Sequence, residues 1–261
     1  MESARAASLA DQWGLDLEPM DRGYGDWNEI LFARRSGERC VLKMTGYDHS
    51  ATEEAAALAT WNGRGAVRVL ESAPDALLLE RLDPDTSLDA VAFPEARERF
   101  AELLRRLSVT APAGLPLLTD TAREISEMSD VPFDILPPRW LAEVRRLAAD
   151  LADDPGDVLV HGDLHSGNIL AGLREPWLAI DPKPTTGHPE RSLAEFLWTR
   201  LDEIDDVVGT LARIVRGARL DLERARAWTI VRTARYLIWA VENGLTEDPV
   251  RCRRLVAALL N

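Results

Sequence analysis

The chain has 261 residues, 46% of them hydrophobic, with 44 acidic against 31 basic side chains and a net charge of −13. That is enough apolar chain for one large core or two joined lobes; the acidic balance disfavours a nucleic-acid or anionic-membrane partner, and it either attracts cationic small molecules or simply solubilises the surface. No apolar run approaches the ~20 residues of a membrane span, Asp11 interrupts any secretory leader, and Cys40 and Cys252 are too few and too far apart for a disulfide framework or zinc site, so a cytoplasmic protein with two packing cysteines is expected.

Residues 6–13 form an amphipathic stretch that predicts a short outer helix ending near Gly14. In Gly23-Tyr24-Gly25-Asp26-Trp27-Asn28 two glycines stand where a phosphate-covering loop wants them, without a third at Asn28, and an ordinary hairpin would use them equally well. Residues 30–34 and 39–44 read as strands joined by the turn Arg35-Ser36-Gly37-Glu38, with Lys43 at the end of the second. Ser50-Ala51-Thr52-Glu53 has capping-box spacing, and the helix it opens continues to Trp61, so Glu53 or Glu54 can face Lys43. Residues 66–71 and 76–81 read as a further strand pair, after which Asp83-Pro84-Asp85 is expected to stop the pairing and to form a hinge. From Pro94 the pattern turns helical, with amphipathic segments over 95–107 and 138–151 separated by a linker at 111–116.

The stretch with chemical content comes next: His161-Gly162-Asp163-Leu164-His165-Ser166-Gly167-Asn168-Ile169-Leu170, then Ala179-Ile180-Asp181-Pro182-Lys183-Pro184. Asn168 follows Asp163 by five residues and Asp181 follows Asn168 by thirteen, the H-x-D-x-x-x-x-N spacing of a kinase catalytic loop with a later carboxylate. Phosphoryl transfer needs a carboxylate to take the acceptor hydroxyl's hydrogen bond, which suits Asp163, and oxygen ligands for magnesium, which suit Asn168 and Asp181. Taken singly, each could be a turn former; together, between the strand-like runs 158–160 and 177–180, they point into one cleft. His161 and His165 read as structural hydrogen-bonding residues. With this motif downstream, Lys43 reads as a phosphate-binding lysine. Helical patterns over 191–201, 207–215, 222–241 and 250–260 complete the chain, without internal repeats.

These residues resemble the aminoglycoside phosphotransferase-like kinases, and within them the streptomycin 6-phosphotransferase and hydroxyurea phosphotransferase branch; residues 161–170 and the Ala-Ile-Asp-Pro-Lys-Pro run carry the likeness, which extends from about Trp27 to Trp239. The resemblance implies an α+β, bilobal protein-kinase-like fold, with an antiparallel-sheet, nucleotide-binding lobe over 1–82, a hinge at its end, and a mainly helical catalytic and acceptor-binding lobe over 83–261. It implies ATP and Mg2+ as cofactors, Lys43 on the nucleotide phosphates, Glu54 and not Glu53 as its partner because Glu54 precedes Leu58 by four, Gly23 and Gly25 over the phosphates, and the Glu80 and Leu82 backbone at the adenine edge. Asp163 becomes the catalytic base and Asn168 with Asp181 the metal ligands. The implied reaction is ATP-dependent phosphorylation of a small-molecule hydroxyl, foremost on a cationic, streptomycin-like aminoglycoside, conferring antibiotic resistance. A kinase of a cellular sugar or other hydroxyl metabolite and a nucleotide-binding pseudokinase are the alternatives; joint retention of Lys43, Asp163, Asn168 and Asp181 argues against the last. No obligate protein partner is evident.

Lys183, stiffened by Pro182 and Pro184, either touches a phosphate or the acceptor as a catalytic residue, or pairs with a surface carboxylate. Asp202, Glu203, Asp205, Asp206 and Glu242 are candidates for an acidic wall facing a polycation, or are solvated helix ends. Relatives continue after Asp-Pro-Lys-Pro with an aspartate-containing turn that steadies the loop; here the residues are Thr185-Thr186-Gly187-His188-Pro189-Glu190, with Glu190 as the candidate substitute.

Overall fold

The structure, a computed structural model, describes residues 4–19, 29–45, 51–129 and 131–261. Helix α1 (Ala4–Trp13) leads into β1 (Leu15–Leu17); then follow β2 (Glu29–Arg35), β3 (Glu38–Met44), α2 (Ala51–Trp61), β4 (Val69–Ala73) and β5 (Ala76–Glu80). The strands form one antiparallel sheet in the order β1-β2-β3-β5-β4. Side chains alternate across a strand, and that period decides what each face does. Leu31, Ala33, Cys40, Leu42, Ala76 and Leu78 pack under Ala6 and Leu9 of α1, while Leu77, Leu79 and Val41 turn to the opposite face and join the main core. Lys43, in phase with Val41, therefore emerges on the core side and is 4% exposed. The β2–β3 turn uses Ser36 and Gly37, both at positive φ, which matches the twist of a two-residue hairpin.

The expected end of pairing at Pro84 is corrected by β6 (Asp83–Ser87), which pairs with a later strand, β8 (Ile169–Ala171). The register shifts between Asp83 and Ser87, and the proline falls in that irregular stretch, where its missing N–H costs no ladder bond. Helices α3 (Phe93–Leu107), α4 (Leu118–Ser126) and α5 (Pro138–Ala152) follow, then β7 (Val158–Val160), β8, β9 (Trp177–Ala179) and β10 (Thr185–Gly187). Strand β8 pairs with β9, and β7 with β10, so the catalytic stretch is strung between two small antiparallel ladders. Helices α6 (Leu193–Thr199), α7 (Val207–Ala218), α8 (Leu222–Glu242) and α9 (Asp248–Leu260) close the second lobe. Asp206 and Asp221 cap α7 and α8 through the amides of Gly209 and Arg224, both at 2.8 Å.

The two lobes share their core. Leu58, Trp61, Leu77 and Leu79 belong to the same buried cluster as Phe100, Phe196 and Trp228. A backbone seam adds to it: Val67 donates to the Ala179 carbonyl and Ala179 to the Gly65 carbonyl, both at 2.9 Å. Cys40 and Cys252 are free and buried. No helix among the described residues is long and apolar enough to cross a membrane.

Candidate active site

Strand β3 delivers Lys43 and α2 delivers Glu54, and the lysine ammonium sits 2.8 and 2.7 Å from the two carboxylate oxygens. Glu54 was preferred to Glu53 in sequence, and it is Glu54 that is buried, at 2% exposure. Lys43 also donates to Asp181, so one cation joins the sheet lobe to the end of β9. Burial disfavours the Lys43 charge, but Glu54 and Asp181 outweigh it and its pKa ends above the ordinary lysine value. Asp181 is pushed up by burial and drawn down more strongly by Lys43, ending below its ordinary value and ionised. Its backbone has φ 55°, a left-handed conformation that aspartate tolerates better than most residues and that turns the chain sharply after β9.

The catalytic loop builds itself from short local bonds. His165 Nδ1 accepts from the Gly167 amide at 3.1 Å, the Asn168 amide donates to the His165 carbonyl at 3.0 Å, and Asn168 Nδ2 donates to the Asp163 carbonyl at 2.9 Å. Because its amide nitrogen is spent inside the loop, Asn168 offers the cleft an oxygen. His161 is buried and stacked on Trp61, ring centroids 5.9 Å apart, and burial lowers its pKa to about 4, so it is neutral and structural, as the sequence suggested. Gly162 has φ 79°, and a Cβ there would lie 1.9 Å from the Lys183 carbonyl oxygen; no other residue fits so tight a crossing. The Lys183 amide donates to the His161 carbonyl at 2.8 Å, locking the two segments together.

Lys183, read in sequence either as touching a phosphate or the acceptor or as pairing with a surface carboxylate, pairs with a carboxylate, that of Asp163: Nζ lies 2.7 Å from Oδ2. Burial raises the Asp163 pKa, the Lys183 charge and hydrogen bond oppose it, and the carboxyl ends below its usual range. Asn168, Asp181 and Lys43 line a cleft of about 290 Å³ roofed by Ile30, Phe32 and Val41 and floored by Leu170 and Ile180, with Glu80 and Leu82 at its rim. The Glu80 amide is spent on the Arg68 carbonyl at 3.0 Å, so an adenine contact from this residue cannot use that N–H. Its carboxylate is held by Arg174 Nε at 3.0 Å from each oxygen, and Arg174 also binds the Ala66 carbonyl at 2.7 Å. Gly23 and Gly25 lie outside the described residues.

The acidic wall expected on the second lobe is not free. Asp202 accepts from Arg251 at 2.9 Å and Arg254 at 2.7 Å, Glu203 is held by Arg200 with one bond at 2.9 Å, and Asp206 caps α7. Of these only Asp206 caps a helix, while Asp202 and Glu203 are in ion pairs; Asp205 and Glu242 are exposed. Glu190 is not the loop's support either: buried, it accepts the Asp221 amide at 3.0 Å and so braces the start of α8. The loop is instead held by Arg191, which donates to the Gly162 carbonyl at 3.1 Å and to Glu195 at 2.6 Å. Sequence reasoning passed over Arg191 and Glu195, although a glutamate inside the apolar run Leu193-Ala194-Glu195-Phe196-Leu197-Trp198, four residues after an arginine, signals a buried pair.

One amide oxygen and one carboxylate facing the same cleft make a hard, sparse donor set, which suits magnesium because that ion keeps water and phosphate oxygens in its shell. Among the described residues no group of three or more His, Cys, Asp or Glu gathers as a metal site.

The chain is 38% identical to a hydroxyurea phosphotransferase from Kitasatospora aureofaciens, over 95% of this chain and 75% of the relative, and 36% identical to a streptomycin 6-kinase from Streptomyces glaucescens, over 92% and 83%. Its fold matches that of the aminoglycoside phosphotransferase APH(4)-Ia with a TM-score of 0.69 over 97% of both chains at 16% identity, which establishes the bilobal kinase-like architecture. Residues 28–244 match the model of the aminoglycoside/hydroxyurea antibiotic resistance kinases, and with the shared fold and the loop geometry this places the chain in that family of phosphotransferases.

Proposed function

We propose that the protein transfers the γ-phosphoryl group of ATP to a hydroxyl of a cationic aminoglycoside of the streptomycin type, in the cytoplasm, with Asp163 orienting and deprotonating that hydroxyl. The observation that carries this reading is the convergence of Lys43, Asn168 and Asp181 on one cleft while Asp163, ionised and held by Lys183, stands outside the cleft lining. Nucleotide and acceptor thus have separate sets of groups. Lys43, fixed by Glu54, would meet the nucleotide phosphates; the Leu82 backbone and the Glu80 carbonyl are left for the base; Asn168 and Asp181 would hold magnesium, which supplies charge neutralisation on the phosphates. The lobe boundary on this reading falls between Leu82 and Asp83.

Asp163 cannot take a proton while its carboxylate is wholly engaged by Lys183. Lys183 bonds only Oδ2, which leaves Oδ1 for the acceptor hydroxyl, and the ammonium can follow the phosphoryl group as negative charge moves onto it. On this reading Lys183, whose side chain is 43% exposed, takes part in the transfer. The preference for streptomycin over hydroxyurea rests on two streptomycin 6-kinases at 36% and 34% identity and on the net charge of −13. An ADP-release assay with streptomycin, hydroxyurea and a neutral sugar tests it: streptomycin is expected to give the highest kcat/KM, and a higher value with either of the others refutes the acceptor assignment.

A further inference from the structure

Arg191 stands ten residues beyond Asp181, in the turn that enters α6, and is 9% exposed. Its guanidinium spans two partners, the Glu195 carboxylate at 2.6 Å and the Gly162 carbonyl at 3.1 Å. Glu195, 1% exposed, also receives Arg232 Nε of α8 at 2.8 Å on the same oxygen, and Arg232 lies over the Trp198 and Tyr236 rings at 5.2 and 5.6 Å.

Glu195 receives two guanidiniums, Arg191 with its side chain 10% exposed and Arg232 with its side chain 22% exposed and set against two aromatic faces. Burying the more enclosed of the two is costly unless its remaining N–H groups are used. Arg191 uses one on the carbonyl of Gly162, whose peptide leads directly into Asp163. We infer that Arg191 is a positioning residue for phosphoryl transfer: it clamps the Gly162 peptide so that the Asp163 carboxylate is aimed at the acceptor hydroxyl. This rests on the reaction proposed above.

The mechanics of the loop require such a clamp. On one side Gly162 is pressed against the Lys183 carbonyl, and the His161 carbonyl is tied to the Lys183 amide at 2.8 Å. Those contacts fix where the peptide sits, and the turn of its plane is held at both edges: the Asp163 amide donates to His161 Nδ1 at a long 3.4 Å, and the Gly162 oxygen accepts from Arg191 at 3.1 Å. The guanidinium makes the shorter of the two bonds, and a reacting group displaced by about 1 Å can lose roughly a hundredfold in rate.

The test uses the full chain and a matched control. Arg191→Met removes the clamp and one cation from Glu195; Arg232→Met removes the other cation from the same oxygen but touches no part of the loop. Both should lower Tm. Only Arg191→Met should lower kcat, by 10- to 100-fold with KM for ATP within twofold, whereas Arg232→Met should keep kcat within threefold. Without any substrate, amide hydrogen exchange over residues 159–168 should quicken at least tenfold in Arg191→Met and not in Arg232→Met. Arg191→Lys, which can reach either partner but not both, should fall between wild type and Arg191→Met; it also decides the matter should Arg191→Met not fold. Wild-type kcat and loop exchange in a folded Arg191→Lys, or kcat losses that simply parallel Tm in both methionine variants, would overturn the inference and leave an ordinary core ion pair. The exchange measurement needs no acceptor, so a wild-type protein inactive on every acceptor but showing the exchange pattern would sink the proposed reaction alone.

Discussion

Asp163 owes its charge to a contest between burial and Lys183, and that contest can be shifted by one substitution. Burial raises its pKa, and the lysine lowers it by more, so the carboxylate stays ionised below the ordinary aspartate range. A depressed pKa means that activity depending on the ionised form is present above that pKa and is lost as pH falls through it. Lys183→Met removes the lowering influence and leaves the burial, so the acid limb of the kcat/KM profile should move to higher pH; a limb that stays in place would show that Lys183 does not govern the base. Asp163→Asn should reduce kcat by roughly 10²–10⁴, the usual size of general-base catalysis. Because Asp163 is not part of the nucleotide cleft lining, ADP affinity measured by calorimetry should barely change in that variant.

At the scale of elements, the catalytic loop is a pair of segments crossing at Gly162, and the crossing has no slack. A Cβ at Gly162 would meet the Lys183 backbone oxygen at 1.9 Å on top of a left-handed φ of 79°; one at Gly37, with φ 86°, would meet nothing within 4 Å. Gly37→Ala should therefore cost only about 1 kcal/mol in urea unfolding, the backbone penalty alone, and Gly162→Ala more than about 3 kcal/mol. Equal costs at the two sites would mean that the crossing can relax. The elements legible in sequence were those with a clear period or punctuation: the β2–β3 hairpin around Ser36-Gly37, strand β5, and the long helices α3, α5, α7 and α8. Helix α4 was missed because its nine residues carry too few apolar positions, Leu118, Ala122 and Ile125, to show a stripe. Strands β8 and β10 are three residues each, too short to show a period; β8 pairs with the nearby β9 and the distant β6, and β10 with β7. The same limit applies at the site. Lys43, Asp163, Asn168 and Asp181 announce themselves by spacing, whereas Arg191 and Arg174 have the look of surface charge until tertiary structure buries them against backbone carbonyls. Asp202 and Glu203 show the reverse limit: spacing lists them as acids, but not that arginines of α9 and of the end of α6 pair with them.

For the whole molecule, the lobes are distinct in shape but not in stability. Trp61 and Leu79 of the sheet lobe lie in one cluster with Phe196 and Trp228, and Gly65 and Val67 are bonded to Ala179. Scanning calorimetry should accordingly show one cooperative transition, with calorimetric and van't Hoff enthalpies in agreement; two resolved transitions would mean that the shared core does not couple the lobes. The Gly65–Ala179–Val67 seam has a second consequence, which is kinematic. Two bodies stitched along a short line of backbone bonds can tilt about that line but cannot slide along it, and points near such an axis travel least. Asp181 sits two residues from the stitch and so has a short lever arm, as do Val67 and Ile180 beside it, while parts of the cleft farther from that line travel more for the same tilt.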